Sequence, residues 1–170
     1  MGKNLHPDFY CDNIYEINFE TLFERGIRGL IFDIDNTLVK DGVRVPDQEN
    51  LELFEKLKSM GYKMALLSNN SKNRVDAYSE GLMFFSKHRS NKPSRRGYRQ
   101  AIESLGLKNS QVAMVGDQIY TDVWGANRAG LMSILVRPHN PKETLFCAIK
   151  RIFEKGIISK AKSQEEYFYG

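Results

Sequence analysis

Apolar residues gather in short, nearly continuous runs: Leu30-Ile31-Phe32, Met64-Ala65-Leu66-Leu67, Leu82-Met83-Phe84-Phe85, Val112-Ala113-Met114-Val115 and Met132-Ser133-Ile134-Leu135-Val136. Runs of this length without alternation suit strands buried on both faces, as in a parallel sheet. Helical marks lie between them. Asn18 can cap a helix over Phe19 to Arg25 that stops at Gly26. Asp47 can cap another from about Gln48 to Met60, with Leu51, Phe54 and Leu57 on one face, Leu53 beside them and Gly61 as its stop. Asn70 or Ser71 can cap a third through about Ser79, Ser94 opens a fourth to about Leu105, and a fifth runs from about Asp122 to Ala129. Residues 142–155 read as a final amphipathic helix with Leu145, Ile149, Ile152 and Phe153 inward, and residues 157–170 as a loose polar tail. Strands alternating with helices predict an α/β fold, a Rossmann-like three-layer α/β/α core around a parallel sheet. With no internal repeat and no dividing linker, the chain is expected to form one domain over residues 1–170, with its core at about 26–137. In residues 1–17, Tyr10, Ile14, Tyr15 and Ile17 can pack on that domain, and nothing there suggests chemistry.

Composition narrows this little. The chain has 170 residues, 41% apolar and 27% charged, which suits a globular protein and argues against global disorder. A formal charge of +4 fits an anionic partner such as a phosphate ester, an anionic lipid or nucleic acid. Cys11 and Cys147 are too few and too far apart for a disulfide framework or a zinc pattern, and His6, His88 and His139 have no metal-ligand spacing. No stretch approaches the roughly 20 apolar residues of a membrane helix. The N-terminus lacks the apolar core of a secretory signal, and His6 stands where a myristoylation site wants Ser or Thr. The expectation is a reduced, cytoplasmic protein whose membrane contact, if any, is peripheral.

The strand ends carry the candidate chemistry. Asp33 and Asp35 follow the first run one residue apart, and in extended backbone both side chains point to the same side. Their mutual repulsion calls for a cation or a shared proton, and a divalent metal such as Mg²⁺ takes hard oxygen ligands of this kind. An EF-hand loop starting at Asp33 is excluded, because its Gly and Glu positions hold Leu38 and Arg44. Later ends bring Ser68 and Asn69, then Lys92, then Asp117 and Asp122. In a parallel sheet the carboxyl ends share one edge, so these groups can converge into a metal-assisted phosphoryl-transfer site. Taken singly, Ser68 or Asp122 would be a helix cap and Lys92 a solvated loop residue; the joint pattern reverses those readings. Trp124 reads as packing.

The set resembles the haloacid dehalogenase (HAD) superfamily of Asp-dependent phosphatases. Asp33-Ile34-Asp35-Asn36-Thr37 looks like its first motif, Ser68 its second, Lys92-Pro93 its third, and Gly116-Asp117 with Thr121-Asp122 its fourth. The resemblance covers about Gly26 to Val136 and implies roles. Asp33 would attack phosphorus and become an aspartyl-phosphate, and Asp35 would protonate the leaving alkoxide and then activate water. Mg²⁺ would be held by Asp33, Asp117 and the Asp35 backbone carbonyl, with Asp122 nearby or acting through water. Ser68 and the Asn69 amide would hold phosphoryl oxygens, and Lys92 would neutralise Asp33 and the phosphate.

Superfamily members with a cap domain insert it after the first motif or between the second and third. Here about 30 residues separate Val39 from Ser68 and 23 lie between Ser68 and Lys92. Those lengths fit a small flap (Lys40 to Pro46), helices and strands, so no cap is expected. Phe19 to Asn36, Ser68-Asn69-Asn70 and Gly116 to Gly130 look like the YqeG-type branch, similar to phosphatidylglycerophosphate phosphatases of mitochondria and chloroplasts. Trp124-Gly125-Ala126 departs from that branch, where smaller or aliphatic residues and a second Gly are expected. The implied reaction removes the terminal phosphate from phosphatidylglycerophosphate. Arg89, Lys92, Arg95, Arg96 and Arg99 gather around the third motif; Arg95 and Arg96 are candidate substrate contacts in a basic rim that could meet a membrane phospholipid. A solvated helix face is the alternative reading of that rim. A soluble phosphomonoester, a nucleic-acid end, RNA association or a non-catalytic binding role also stay open, although no aromatic-interleaved basic motif favours nucleic acid.

Overall fold

The computed structural model describes residues 5–139. The expected helix over 142–155, the tail 157–170 and Cys147 lie outside the described residues. Among those described, six strands form one parallel sheet: β1 (Phe9–Cys11), β2 (Gly29–Phe32), β3 (Lys63–Leu67), β4 (Phe85–Lys87), β5 (Val112–Gly116) and β6 (Met132–Val136), in the order β1-β6-β5-β2-β3-β4. The helices are α1 (Phe19–Glu24), α2 (Gln48–Ser59), α3 (Lys72–Ser79), α4 (Arg95–Leu105) and α5 (Trp124–Ala129). Central β2 pairs with β3 and β5, so that Phe32 sits level with Leu66 and Val115. All four of its residues are buried.

Strand pleating sorts the core into two layers. Leu30, Phe32, Met64, Leu66, Ala113 and Val115 face one cluster with Phe54, Leu57 and Tyr78. Their neighbours Ile31, Ala65, Leu67, Val112 and Met114 face the other, with Tyr98, Ile102 and Leu105. Burial on both faces is what the unbroken apolar runs required, and the α/β architecture stands as expected.

Four local expectations are corrected. Residues 9–11 do more than pack: they form β1 on the edge beside β6. Asp8 fastens it, its backbone N–H donating to Ser133 O (2.9 Å) and its carboxylate accepting from Ser133 N–H (2.8 Å). The run Leu82–Phe85 enters the sheet late, as Phe85–Lys87, because Phe84 packs edge-on against Phe54 (5.2 Å between centroids) instead of pairing. In α2 the inward set is Asn50, Leu53, Phe54 and Leu57, while Leu51 is exposed. Asn50 turns in because its amide donates to Leu38 O (3.0 Å), tying α2 to the turn after β2.

The helix expected from about Asp122 is split: its α-helical part starts at Trp124, and helical backbone already begins at Ile119. A π-helical turn over Ile119–Val123 precedes α5, a local geometry frequent at functional sites. The Tyr98 hydroxyl, fully buried from α4, donates to Thr121 O (2.8 Å) and also lies 3.3 Å from Asp122 O. Its ring fills the space a side chain would take at Gly125, where a Cβ would come within 2.4 Å of it. Gly125 therefore fits this chain's Tyr98. Gly125→Ala is expected to overpack this contact at a cost of about 1–3 kcal/mol. The thermal midpoint should drop by several degrees, and an unchanged midpoint would show that the ring relaxes freely.

Candidate active site

The carboxyl edge of the sheet gathers the polar groups. Asp33 leaves the end of β2, its N–H donating to Val115 O (3.0 Å) as a last rung beside β5. Asp117 leaves β5, Ser68 leaves β3, and Lys92 comes from the loop between β4 and α4. Asp122 reaches in from the π turn. Gly116 makes room for it: a Cβ at Gly116 would lie 2.4 Å from the Asp122 carboxylate. The carboxylate also accepts from Gln118 N–H (3.1 Å).

Lys92 sits at the centre. Its ammonium, 2% exposed, lies 2.6 Å from Asp33 Oδ1 and 2.7 Å from Asp122 Oδ1. The loop that delivers it has left-handed backbone at two non-glycine residues, Arg89 (φ 42°) and Asn91 (φ 55°). Such geometry persists where surroundings over-determine it, and Asn69 does so here. Asn69 Oδ1 accepts from Lys92 N–H (2.7 Å) and from the Ser90 hydroxyl (2.9 Å), while its amide donates to Lys92 O (3.1 Å). The Asn69 side chain is thus a clamp on the lysine loop. Ser68 is buried, its hydroxyl accepting from Asn70 N–H (3.0 Å).

The Thr37 hydroxyl lies 3.3 Å from Asp33 Oδ2 and 3.4 Å from Asp117 Oδ1, bridging two carboxylates. His139 braces this turn, its N–H donating to Asn36 O (3.0 Å) and its Nε2 lying 3.2 Å from Thr37 O.

Oxygens of Asp33, Asp117 and Asp122 all lie within 4.8 Å of one another. Burial pushes the Asp33 carboxyl up to about 6; Lys92 opposes this, and Asp122 adds to it. Burial, then Asp33 and Asp122, push Asp117 up to about 8. Burial alone would lower the Lys92 ammonium, but Asp122 and Asp33 outweigh it and hold it above its ordinary value. One ammonium thus leaves this acidic cluster under-compensated. Three converging hard oxygens fit a divalent cation. The Asp35 carboxylate is outside that cluster, so a metal contact from this residue would come from its backbone carbonyl.

Asp35 also lines the cleft, with partners of its own. Arg74 Nη2 and Nε donate to its Oδ1 (2.7 and 3.2 Å), and Asn70 Nδ2 donates to its Oδ2 (3.3 Å). An open cleft of about 310 Å³ runs past Asp33, Asp35, Ser68, Asn69, Asn70, Lys92, Gln118 and Thr121. Arg95 and Arg96 are not among its lining residues. Both are exposed in the first turn of α4, whose buried face is Gly97 and Tyr98. Arg95 instead borders a separate groove of about 470 Å³ with Arg99 and Arg128. The flap is a turn with exposed Val43 and Val45, and among the described residues no cap covers the cleft.

Two contributors were not legible in the sequence: Arg74 and the Asn69 clamp. Arg74 carries a weak signal, since it lies four residues before the buried Tyr78 and so on the inward face of α3.

The family model of the haloacid dehalogenase-like hydrolases matches residues 45–130. The chain belongs to that family. It is 35% identical over 162 residues to "Probable phosphatase YqeG" of Bacillus subtilis (strain 168), covering 95% of this chain and 94% of the relative. It is 28% identical to phosphatidylglycerophosphate phosphatase 1, chloroplastic/mitochondrial, of Arabidopsis thaliana, covering 89% of this chain and 49% of that protein, so it spans about half of the plant relative. A crystal structure of an uncharacterized Listeria monocytogenes protein matches with a TM-score of 0.54 at 25% identity, covering 70% of this chain and 82% of that one. NagD from E. coli K-12 has the same fold, with a TM-score of 0.53 at 14% identity, covering 65% and 87%. This haloacid dehalogenase-like hydrolase is a phosphatase. No helix among its described residues is long and apolar enough to cross a membrane.

The raised carboxyls give the metal-free hydrolase a signed pH dependence. Each binds its proton more tightly folded than unfolded. Its stabilising contribution is therefore full below the ordinary value of 3.8 and is lost as pH rises, through about 6 for Asp33 and about 8 for Asp117. Urea midpoints of metal-free protein should fall across that window, and Mg²⁺ should restore them most at its upper end. Midpoints that rise across it, or ignore Mg²⁺, would contradict the account.

Proposed function

We propose that this chain is a Mg²⁺-dependent phosphomonoesterase that works through an aspartyl-phosphate on Asp33 and removes the terminal phosphate of phosphatidylglycerophosphate, giving phosphatidylglycerol. The observation that carries the chemistry is the buried Asp33 carboxylate 2.6 Å from the Lys92 ammonium, at the floor of an open cleft.

An anionic nucleophile must approach an anionic ester, and Lys92 offsets that repulsion where solvent screening is weak. An Asp33 oxygen bonds to phosphorus as the ester P–O bond breaks. Asp35 delivers a proton to the departing alkoxide. It then takes a proton from water as that water attacks phosphorus and the Asp33 acyl-phosphate bond breaks. Ser68 and the Asn69 N–H hold phosphoryl oxygens through both displacements. Asp33, Asp117 and Asp122 would hold Mg²⁺, which supplies positive charge to the phosphoryl oxygens.

The lipid assignment draws on the plant relative's name, on the uncapped cleft and on the basic residues beside it. A headgroup that stays attached to a membrane can reach an open site. Arg89, Arg95, Arg96 and Arg99 are exposed, and each basic residue that meets an anionic surface adds about 1 kcal/mol. Peripheral contact of a cytoplasmic protein with the membrane follows from this reading.

Phosphate release from phosphatidylglycerophosphate in mixed micelles, measured beside soluble phosphomonoesters, tests both parts. The expected result is a Mg²⁺-dependent preference for the lipid that Asp33→Asn abolishes and Asp35→Asn lowers by roughly 10²–10⁴-fold. Equal or better turnover of soluble esters would overturn the lipid assignment alone. Turnover that survives Asp33→Asn would overturn the mechanism.

A further inference from the structure

Arg74 is the ionic group beside the cleft to which the chemistry above gives no task. Its side chain is 9% exposed and forms an ion pair with Asp35, using Nε and Nη2 on one oxygen, Oδ1. Asn70 occupies the other oxygen, Oδ2. Asn70 is itself fixed: its N–H donates to Ser68 Oγ (3.0 Å), its Oδ1 accepts from Ser71 N–H (2.7 Å) and its C=O accepts from Arg89 N–H (2.9 Å). The segment that carries Ser68 into the cleft therefore also grips both oxygens of Asp35.

This arrangement is a poor device for stability. Arg74 Nη1 is buried without a hydrogen-bond partner, an arrangement that destabilises a fold. The residue also lies in the first turn of α3, where the helix dipole disfavours a cation. An apolar side chain of similar length would avoid both costs and could still pack on Tyr78, whose ring centroid lies 5.5 Å from the guanidinium.

We propose that Arg74 is a positioning residue that, together with Asn70, aims the Asp35 carboxyl group at the leaving oxygen of the substrate. The proposal rests on the reading of Asp35 as general acid and base. Arg74 does not touch phosphorus or the leaving group; it acts through Asp35. Proton delivery depends on placement to within a fraction of an ångström. A carboxyl free to rotate would be misplaced in the step that needs it and harmless in a step that does not.

That difference supplies the test. The first displacement is measured in a single turnover with Mg²⁺, because the water attack that follows needs Asp35 with either ester. The substrates are an alkyl phosphomonoester, whose alkoxide must be protonated, and p-nitrophenyl phosphate, whose phenolate leaves without help. Arg74→Met is expected to lower the single-turnover rate of alcohol release from the alkyl ester by roughly 10- to 100-fold and to leave the burst rate of p-nitrophenolate within about threefold. Arg74→Lys, which restores one charged contact, should recover part of the loss. In an Asp35→Asn background, Arg74→Met should cost nothing further. The thermal midpoint of Arg74→Met should be no lower than that of the unchanged chain.

Equal losses in the first displacement of both esters, additive losses with Asp35→Asn, or no loss at all would each overturn the positioning role. If the unchanged chain hydrolyses neither ester nor the lipid, the phosphatase reading fails first and this role falls with it, an outcome distinct from the other three.

Discussion

An ammonium taken out of water needs anions close by, and Lys92 has two, Asp33 at 2.6 Å and Asp122 at 2.7 Å. The contact works in both directions. Without the lysine, two buried carboxylates would face each other and Asp117 with no counter-charge. Without the carboxylates, a charged lysine would have no place at the end of a parallel sheet. Because three acids share one ammonium, the cluster is short of positive charge, and the raised Asp33 and Asp117 carboxyls express that shortage. A divalent cation would restore the balance and leave positive charge to meet an anionic phosphoryl group.

Much of the surrounding structure serves to hold these charges in register. Asn69 stitches the loop that carries Lys92, through three hydrogen bonds of 2.7–3.1 Å. Tyr98 reaches through the gap left by Gly125 to hold the π turn that presents Asp122, and Gly116 leaves the space that carboxylate occupies. Thr37 bridges Asp33 and Asp117, with His139 closing over its turn. Arg74 and Asn70 in turn hold the Asp35 carboxylate.

The chain's apolar runs made the parallel sheet legible, because a strand buried on both faces has little freedom in composition. The order Asp33, Asp35, Ser68, Lys92, Asp117, Asp122 was legible for a related reason: residues at strand ends share an edge whatever the intervening loops do. Short edge elements were harder. Strand β1 has three residues with one partly exposed, and it forms because Asp8 and Ser133 fasten it, a pairing between residues 125 apart. Leu51, expected inward in α2, is exposed, while Asn50 is buried and its amide donates to Leu38 O. The π turn followed from Tyr98 and Gly125, which meet only in the folded chain. Arg95 and Arg96 looked like substrate contacts because they follow Lys92 in sequence, yet the helix they open turns them toward solvent. Supporting residues such as Arg74 act through contacts that sequence spacing does not encode.

The proposed mechanism makes Asp33 the group that becomes phosphorylated. Acid quenching during turnover, followed by borohydride reduction and peptide mass analysis, reads this directly, since borohydride reduces an aspartyl-phosphate but not a free carboxylate. The expected result is a reduced side chain confined to Asp33, dependent on substrate and on Mg²⁺, and more abundant in Asp35→Asn, where the second step is slowed. Phosphate turnover with Asp33 unmodified throughout, or the modification on another residue, would contradict it.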